Sequence, residues 1–245
     1  NMGGIKNEEE SDHAEDITGE VEMYWQQELA IYDVHVIDKK GIFLNEKEFL
    51  PHEVVYRLPP QISDAGTRVE QVRRDLERLV RMGVNVIRLE GTGTGAEGVN
   101  CSEVRTFYSL CRKRGFLTGD LWIRPENLPV YRGLSGETAE DALLSANGRT
   151  LTERYYYYQA KWSSEPVLYP VLSTLHRQEN GLLSLTIYSN QKKVVLYVDG
   201  LLFLFQTAAS GDPEFIFEDI PVAKLPLHLA AEAGNLSISL TVTKL

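Results

Sequence analysis

Hydrophobic positions recur at helical spacing in the first half of the chain. Thr67 and Glu70 match the capping box that begins many helices, and Gly83 is a typical end signal. The segment VNVIRL comes next and predicts a strand, because it is rich in β-branched residues. The apolar positions that predict this amphipathic helix are Val69, Val72, Leu76, Leu79 and Val80.

A second unit of the same kind follows the glycine-rich segment GTGTGAEG. Val104, Phe107, Tyr108 and Cys111 share one helical face, and Gly115 then ends the helix. FLTGDLW predicts another short strand. Residues 42–122 are therefore expected to form two to three strand–helix units of a parallel sheet, which is the pattern of an α/β domain. Strands are also expected upstream, in IYDVHVI and GIFLNEKEFL, with a turn at Asn45-Glu46.

The chain after Pro166 has the period of strands throughout. Asp199-Gly200 lies between two alternating segments and is a strong hairpin signal. Seven short strands with such turns indicate an all-β sandwich. The seven segments are VLYPVL, LLSLTIYS, KVVLYV, LLFLFQ, EFIFEDI, LPLHLAAEA and LSISLTVTKL.

Two segments lack this regularity. Residues 1–20 are polar and acidic and are expected to be disordered. Residues 123–150 are rich in Pro and Gly and are expected to be a connector. Thr150 and Glu153 form a second capping-box pattern, which predicts a short helix ending before Pro166. Its aromatic face would comprise Tyr155, Tyr158 and Trp162, together with Gln159.

Charge and composition exclude several classes of function. The 245 residues carry a net charge of −10, yet nine acidic residues lie in residues 1–28 and the remainder is close to neutral. Such a chain offers no basic stripe for nucleic acid. No apolar run is long enough to span a membrane, so no membrane partner is expected, and no signal peptide is visible, so the compartment stays open. Cys101 and Cys111 alone fit no zinc pattern, and we expect no metal and no cofactor.

Four stretches resemble family 2 glycoside hydrolases, the group of β-galactosidases, β-mannosidases and exo-β-glucosaminidases. They occur in the family's order and cover about half of the chain, and the RLEG wording is closest to the exo-glucosaminidase branch. The resemblance implies a carbohydrate ligand and a partial (β/α) barrel-like domain followed by an Ig-like β-sandwich. The four are DKKGIFLNEKEF, RRDLERLVRMGVNVIRLEG, FYSLCRKRGFLTGDLW, and YYYYQAKWSSEPVLYPV with LTIYSNQKKVVLYVDG.

This resemblance predicts four parts. The α/β part is expected to be a truncated TIM-barrel-like domain, because a complete (β/α)₈ barrel needs at least about 200 residues. The parts are an acidic lead over 1–20, the α/β domain over 21–122, a connector with a short helix over 123–165, and the sandwich over 166–245.

The family's catalytic carboxylates are not visible. Its general acid/base follows the fourth barrel strand in an Asn-Glu pair, and its nucleophilic Glu follows the seventh. Asn7-Glu8 lies in the acidic lead and Asn45-Glu46 in a turn, so neither pair can take that role. The catalytic residues are therefore unknown, and the chain is expected to be inactive unless missing segments or another chain complete it.

Three residues are candidates for contact with a sugar. Glu90 and Asp120 each follow a predicted strand, at the edge where α/β folds place their sites, and Trp122 could stack on a sugar ring. The alternative interpretation is structural, with Glu90 paired to Arg88 and Asp120 capping a turn. Trp162 and the tyrosines 155–158 are expected to pack between domains instead of binding sugar.

Other functions remain open. Gly91, Gly93 and Ala96 follow a strand, with Asp120 further on, and this is the outline of a dinucleotide-binding loop. Against it, Glu97, Gly98 and Asn100 delay the helix whose N-terminus would hold the pyrophosphate. A protein-interaction module is the other alternative. An open parallel sheet also favours a homo-oligomer or a completing chain as partner.

Overall fold

The fold was analysed in a computed structural model of the chain. The chain divides into two compact units, residues 1–50 and residues 51–245, which are described one at a time. The residues whose structure is described are 34–37, 41–58, 65–90, 101–119, 131–132, 143 and 150–244. The predicted disordered lead and much of the predicted connector lie outside these residues.

The first unit contains a small antiparallel sheet of three strands in the order β1-β2-β3. Asn45 and Glu46 both have positive φ angles, 49° and 64°, as a two-residue hairpin turn requires. The strands and the turn predicted in this region are confirmed. The strands are β1 Val34–Ile37, β2 Gly41–Leu44 and β3 Lys47–Glu48.

The second unit begins with a parallel sheet in the order β6-β5-β4-β7. Two of these strands were not predicted: β4, which is short and flanked by polar residues, and β7, which lies within the expected connector. One helix connects the central strands β4 and β5, and a second connects β5 to the edge strand β6. The strands are β4 Glu53–Tyr56, β5 Val86–Leu89, β6 Leu117–Thr118 and β7 Tyr131–Arg132, and the helices are α1 Ala65–Met82 and α2 Cys101–Arg112.

Helix α1 differs in two ways from its prediction. It begins at Ala65, so Thr67 lies inside its first turn and is not the N-cap. Val69 and Val80 are 40% and 46% exposed, which makes the buried stripe narrower than expected. One core joins α1, α2 and one face of the sheet, and its members include Val54, Tyr56, Val72, Leu76, Leu79, Met82, Ile87, Leu89, Phe107, Tyr108 and Cys111.

The remainder of the second unit is a β-sandwich, and all seven predicted strands are present. Its sheets have the orders β11-β10-β13-β14 and β12-β9-β8. Asp199 and Gly200 adopt φ angles of 47° and 80° and make the predicted hairpin turn. The strands are β8 Leu168–Arg177, β9 Leu183–Ser189, β10 Lys193–Val198, β11 Leu201–Thr207, β12 Glu214–Ile220, β13 Leu227–Ala233 and β14 Leu236–Val242.

Helix α3, Glu153–Trp162, contacts both α1 and the sandwich strands β8 and β9. Its N-cap is Thr152, whose hydroxyl accepts a hydrogen bond from the Tyr155 amide. The capping-box pattern predicted Thr150 as the cap, and that prediction is wrong. Tyr155 and Tyr158 are buried in the α/β core, and the Tyr155 hydroxyl donates to the carbonyl of Arg78 at 2.8 Å.

The neighbouring aromatic residues of α3 face the sandwich. Tyr156 stacks on Tyr169 with ring centroids 3.8 Å apart, and Tyr157 meets Tyr188 edge to face at 5.4 Å. The tyrosine row therefore packs between the two parts of this unit, as the sequence predicted. Among the described residues, no helix is both long and apolar enough to cross a membrane.

Candidate functional site

The carboxyl edge of the parallel sheet holds the one sequence-predicted site residue that the structure describes. Glu90 directly follows β5, and its amide donates to the Tyr56 carbonyl at 2.8 Å, which extends the ladder between β4 and β5 by one step. Asp120 and Trp122, which follow β6 in the sequence, lie outside the described residues. Their role as sugar contacts therefore stays a prediction.

An arginine stands beside Glu90. The parallel register pairs Tyr56 with Leu89, so the next residues, Arg57 and Glu90, are neighbours at the strand ends. The Arg57 Nε donates to Glu90 Oε2 at 2.6 Å, and the two side chains are 44% and 38% exposed. An ion pair with this exposure contributes little to stability. Both side chains are partly exposed at the ends of their strands.

A second ion pair lies on the same strands. Arg88 Nε donates to Glu53 Oε1 at 2.9 Å, and Glu53 is only 2% exposed. The alternative interpretation that Glu90 pairs with Arg88 is therefore wrong. The register places Val55 opposite Arg88, so Glu53 lies diagonally across the ladder from Arg88, whereas Arg57 and Glu90 follow a directly paired position. Each arginine thus contacts a carboxylate on the neighbouring strand.

Close packing of β6 restrains Arg88. Its side chain lies over Gly119, where an added Cβ would approach the Arg88 Cγ to 2.9 Å. The Arg88 guanidinium also faces the Gly119 carbonyl, with Nη1 at 3.4 Å. The Glu53–Arg88 pair is therefore more tightly held than the exposed Arg57–Glu90 pair, which lies next to it at the strand ends.

The opposite face of β4 carries a polar group of a different kind. The Tyr56 hydroxyl donates to Asp75 Oδ2 at 3.1 Å, and Arg78 Nη1 lies 3.2 Å from the other oxygen of Asp75. Burial raises the pKa of Asp75, and burial together with the adjacent Asp75 carboxylate raises the pKa of the Tyr56 phenol. Because this group is enclosed by α1, it stabilises the helix–sheet core and is not part of the exposed site.

The chemistry of the exposed edge is that of hydrogen-bond recognition. A carboxylate accepts hydrogen bonds through two oxygens, and a guanidinium donates through several N–H groups in a fixed plane. Arg57 and Glu90 place both kinds of group side by side at the strand ends. Within the described residues, no group of three or more His, Cys, Asp or Glu side chains could hold a metal ion.

The dinucleotide alternative gains no support from this geometry. The glycine loop, residues 91–100, lies outside the described residues. Helix α2 begins at Cys101, five residues after Ala96. A dinucleotide fingerprint opens directly into its helix, because the helix N-terminus binds the pyrophosphate.

Comparison with solved structures identifies the fold of the chain. No protein-family model and no curated protein matches the sequence, but solved structures do match the chain. A β-galactosidase-like protein from Bacteroides fragilis aligns with a TM-score of 0.63 at 12% identity, over 87% of this chain and 57% of its own. The fold is that of a glycoside hydrolase. The chain spans about half to three-fifths of the length of these matched structures.

Two β-glucuronidases show the same similarity. An FMN-binding enzyme from Facaelibacterium prausnitzii L2-6 aligns with a TM-score of 0.57 at 15% identity, covering 87% of this chain and 59% of its own. β-Glucuronidase 2 from Bacteroides uniformis aligns with a TM-score of 0.55 at 12% identity, covering 86% and 48%. These likenesses support the resemblance to glycoside hydrolases at the level of fold.

Sequence reasoning missed Arg57 and Glu53. Both belong to EVVYR, whose two charged residues lie on the same side of the sheet as Arg88 and Glu90 of VIRLE when the two strands are aligned in parallel. That alignment was the available signal, but it is visible only once β4 is recognised as a strand.

Proposed function

We propose that this chain is part of a protein related to family 2 glycoside hydrolases and that it binds carbohydrate. In this proposal the parallel sheet with its helices is a portion of a (β/α) barrel, and the sandwich is the Ig-like domain that follows it. The division into an acidic lead (1–20), α/β domain (21–122), connector (123–165) and sandwich (166–245) is part of the proposal. The strand–helix order, the sandwich and the glycoside-hydrolase fold support it.

The exposed Arg57–Glu90 pair carries the proposal of a sugar site. It stands at the carboxyl edge of a parallel sheet, where α/β proteins bind their ligands. Adjacent hydroxyls of a sugar can donate to the Glu90 carboxylate and accept from the Arg57 guanidinium. Asp120 and Trp122 follow the next strand along the chain, and in this proposal they add a second carboxylate and an apolar ring face.

We propose binding and not hydrolysis for the chain by itself. Retaining hydrolysis needs two carboxyl groups about 5–5.5 Å apart, one protonated and one ionised. The sequence offers no pair in the positions that the family uses. Aryl β-galactosides, β-mannosides and β-glucosaminides should therefore stay intact. Turnover that disappears in both Glu90→Gln and Asp120→Asn would show that the chain is itself an enzyme.

Calorimetric titration tests the binding site. Galactose, glucuronate and glucosamine are titrated into the wild type and into Glu90→Gln, which keeps the shape of the side chain but removes its charge. A hydrogen bond to a charged group contributes roughly 1.5–3 kcal/mol, so the affinity should fall about tenfold or more.

Glu77→Gln is the matched control. Glu77 is also an exposed glutamate near an arginine, 3.9 Å from Arg114 Nη2, but it lies on α1 and away from the strand ends. The control should bind sugar as the wild type does. The absence of binding for all three sugars, or an equal loss in both variants, would contradict the proposal.

A further inference from the structure

Strand β11 presents an unusual surface for a sheet edge. It is the outermost strand of the four-stranded sheet, and among the described residues its only strand partner within that sheet is β10. Near its end, the Gln206 side chain donates to the Ile216 carbonyl of β12 in the other sheet. The first five residues of β11, LLFLF, are all apolar. Four of them are largely exposed: Leu201 by 75%, Leu202 by 62%, Phe205 by 53% and Leu204 by 42%.

The other edges of the sandwich are protected in ways that β11 is not. Strand β12 carries Glu214 and Glu218, and strand β8 contains Pro170. The exposed residues of strand β14 are Ser237, Ser239 and Thr241, which alternate with less exposed residues. Charge, proline and polar alternation are the devices that keep sheet edges from pairing with other chains. Strand β11 has no charged residue and no proline over its seven positions.

Both faces of β11 are apolar. The register places Leu204 opposite Leu196, which is buried in the sandwich core, so Leu204 lies on the core side. Leu202 and Phe205 lie opposite Tyr197 and Val195, on the outer side of the sheet. A strand added beside β11 would therefore cover apolar side chains on both faces at once.

We propose that this edge is a homodimer interface, in which β11 pairs antiparallel with β11 of a second copy of the chain. The two sheets would then join into one continuous sheet of eight strands. A two-fold axis brings the same segment against itself, and that arrangement requires a self-complementary surface. LLFLFQT meets this requirement because it contains no charge that would oppose its own copy.

The available area fits a second copy. The exposed fractions of the four residues sum to a little more than two large apolar residues, roughly 350 Å² per copy at ~150 Å² each, the lower end of the aromatic range, because three of the four are leucines. Two copies would bury at most about 700 Å² through these side chains, and the paired backbones add to this. The total approaches the ~1,000 Å² that a specific interface needs, at the small end of the known range. The dimer should therefore dissociate in the micromolar range.

Light scattering after size exclusion tests the proposal on the whole chain. The wild type should be a dimer at about 100 μM and a monomer when diluted to well below 1 μM, consistent with a micromolar Kd. Leu202→Lys places one positive charge from each copy in the apolar interface and should weaken the dimer at least about tenfold. Leu201→Lys repeats this test at the most exposed position of the strand.

Leu172→Lys is the control. Leu172 is 51% exposed, but it lies on β8, an edge of the other sheet. This variant should dimerise as the wild type does. A monomer at about 100 μM would overturn the proposal and leave a strand of a different protein as the occupant. A dimer that resists both β11 substitutions, in variants whose melting temperature equals that of the wild type, would overturn it as well.

Discussion

Two glycines end helices α1 and α2 in the same way, and their difference in packing yields a sharp prediction. Gly83 and Gly115 have φ angles of +89° and +84°. In each case the glycine amide donates to the carbonyl of the residue three positions earlier. The next amide donates to the carbonyl five positions before it, as in a Schellman motif. Their surroundings differ, because an added Cβ at Gly115 meets nothing within 4 Å, whereas one at Gly83 would approach the Trp162 carbonyl oxygen to 2.5 Å.

The expected cost follows from these contacts. An alanine held at positive φ costs roughly 1–2 kcal/mol at either site. At Gly83 the new methyl group also collides with backbone atoms of Trp162 and Ser163, which cannot rotate away as a side chain could. The end of α3 must then move, and the stacking of Trp162 on His52, at 4.8 Å between centroids, is lost. Overpacking of this kind costs roughly another 1–3 kcal/mol.

Urea unfolding of Gly83→Ala and Gly115→Ala measures the difference. Gly115→Ala should lower the free energy of unfolding by about 1–2 kcal/mol, and Gly83→Ala by about 2–5 kcal/mol. The additional loss should lower the melting temperature by roughly 2–4 °C per kcal/mol in a protein of this size. Equal losses in the two variants would refute the claim that α3 is closely packed against the end of α1.

Two further predictions concern the same region. Trp162→Ala should lower the free energy of unfolding by about 2–3 kcal/mol, below the roughly 3–5 kcal/mol for a fully buried aromatic residue, because Trp162 is only partly buried; unfolding by urea checks this, and calorimetry should show unchanged sugar binding. Burial lowers the pKa of His52 below its usual 6.5, so its contribution to stability is complete above pH 6.5 and declines as the pH falls below that value. Urea titrations at several pH values should show this decline in the wild type and a smaller one in His52→Phe.

The sandwich could be predicted because its signals are local. In KVVLYV-DG-LLFLFQ the alternation defines two strands, and the Asp-Gly pair defines the turn that joins them. Helix ends were less predictable. Thr150 matches the capping box in sequence, yet Thr152 is the N-cap of α3. The hydroxyl and the amide of Thr152 both donate to the Leu143 carbonyl, and the local sequence does not reveal this contact.

The candidate site was only partly predictable, because its contacts are not local. Glu90 could be placed at the end of a strand from the pattern VNVIRL alone. Its partner Arg57 is 33 residues away in the sequence, and the two meet only through the register of two parallel strands. Arg88 and Glu53 are 35 residues apart and meet diagonally across the same two strands, which local spacing could not indicate.

Amide hydrogen exchange with and without saturating sugar tests the central claim most directly. If the carboxyl edge of the parallel sheet is the binding site, sugar should slow exchange in peptides that contain residues 56–58 and 88–90. Exchange in the sandwich strands should stay unchanged, and the Glu90→Gln variant should show less protection at the same sugar concentration, because its affinity is about tenfold lower. Protection confined to the sandwich, or none at the strand ends although calorimetry detects binding, would contradict the assignment of the sugar site to Arg57 and Glu90.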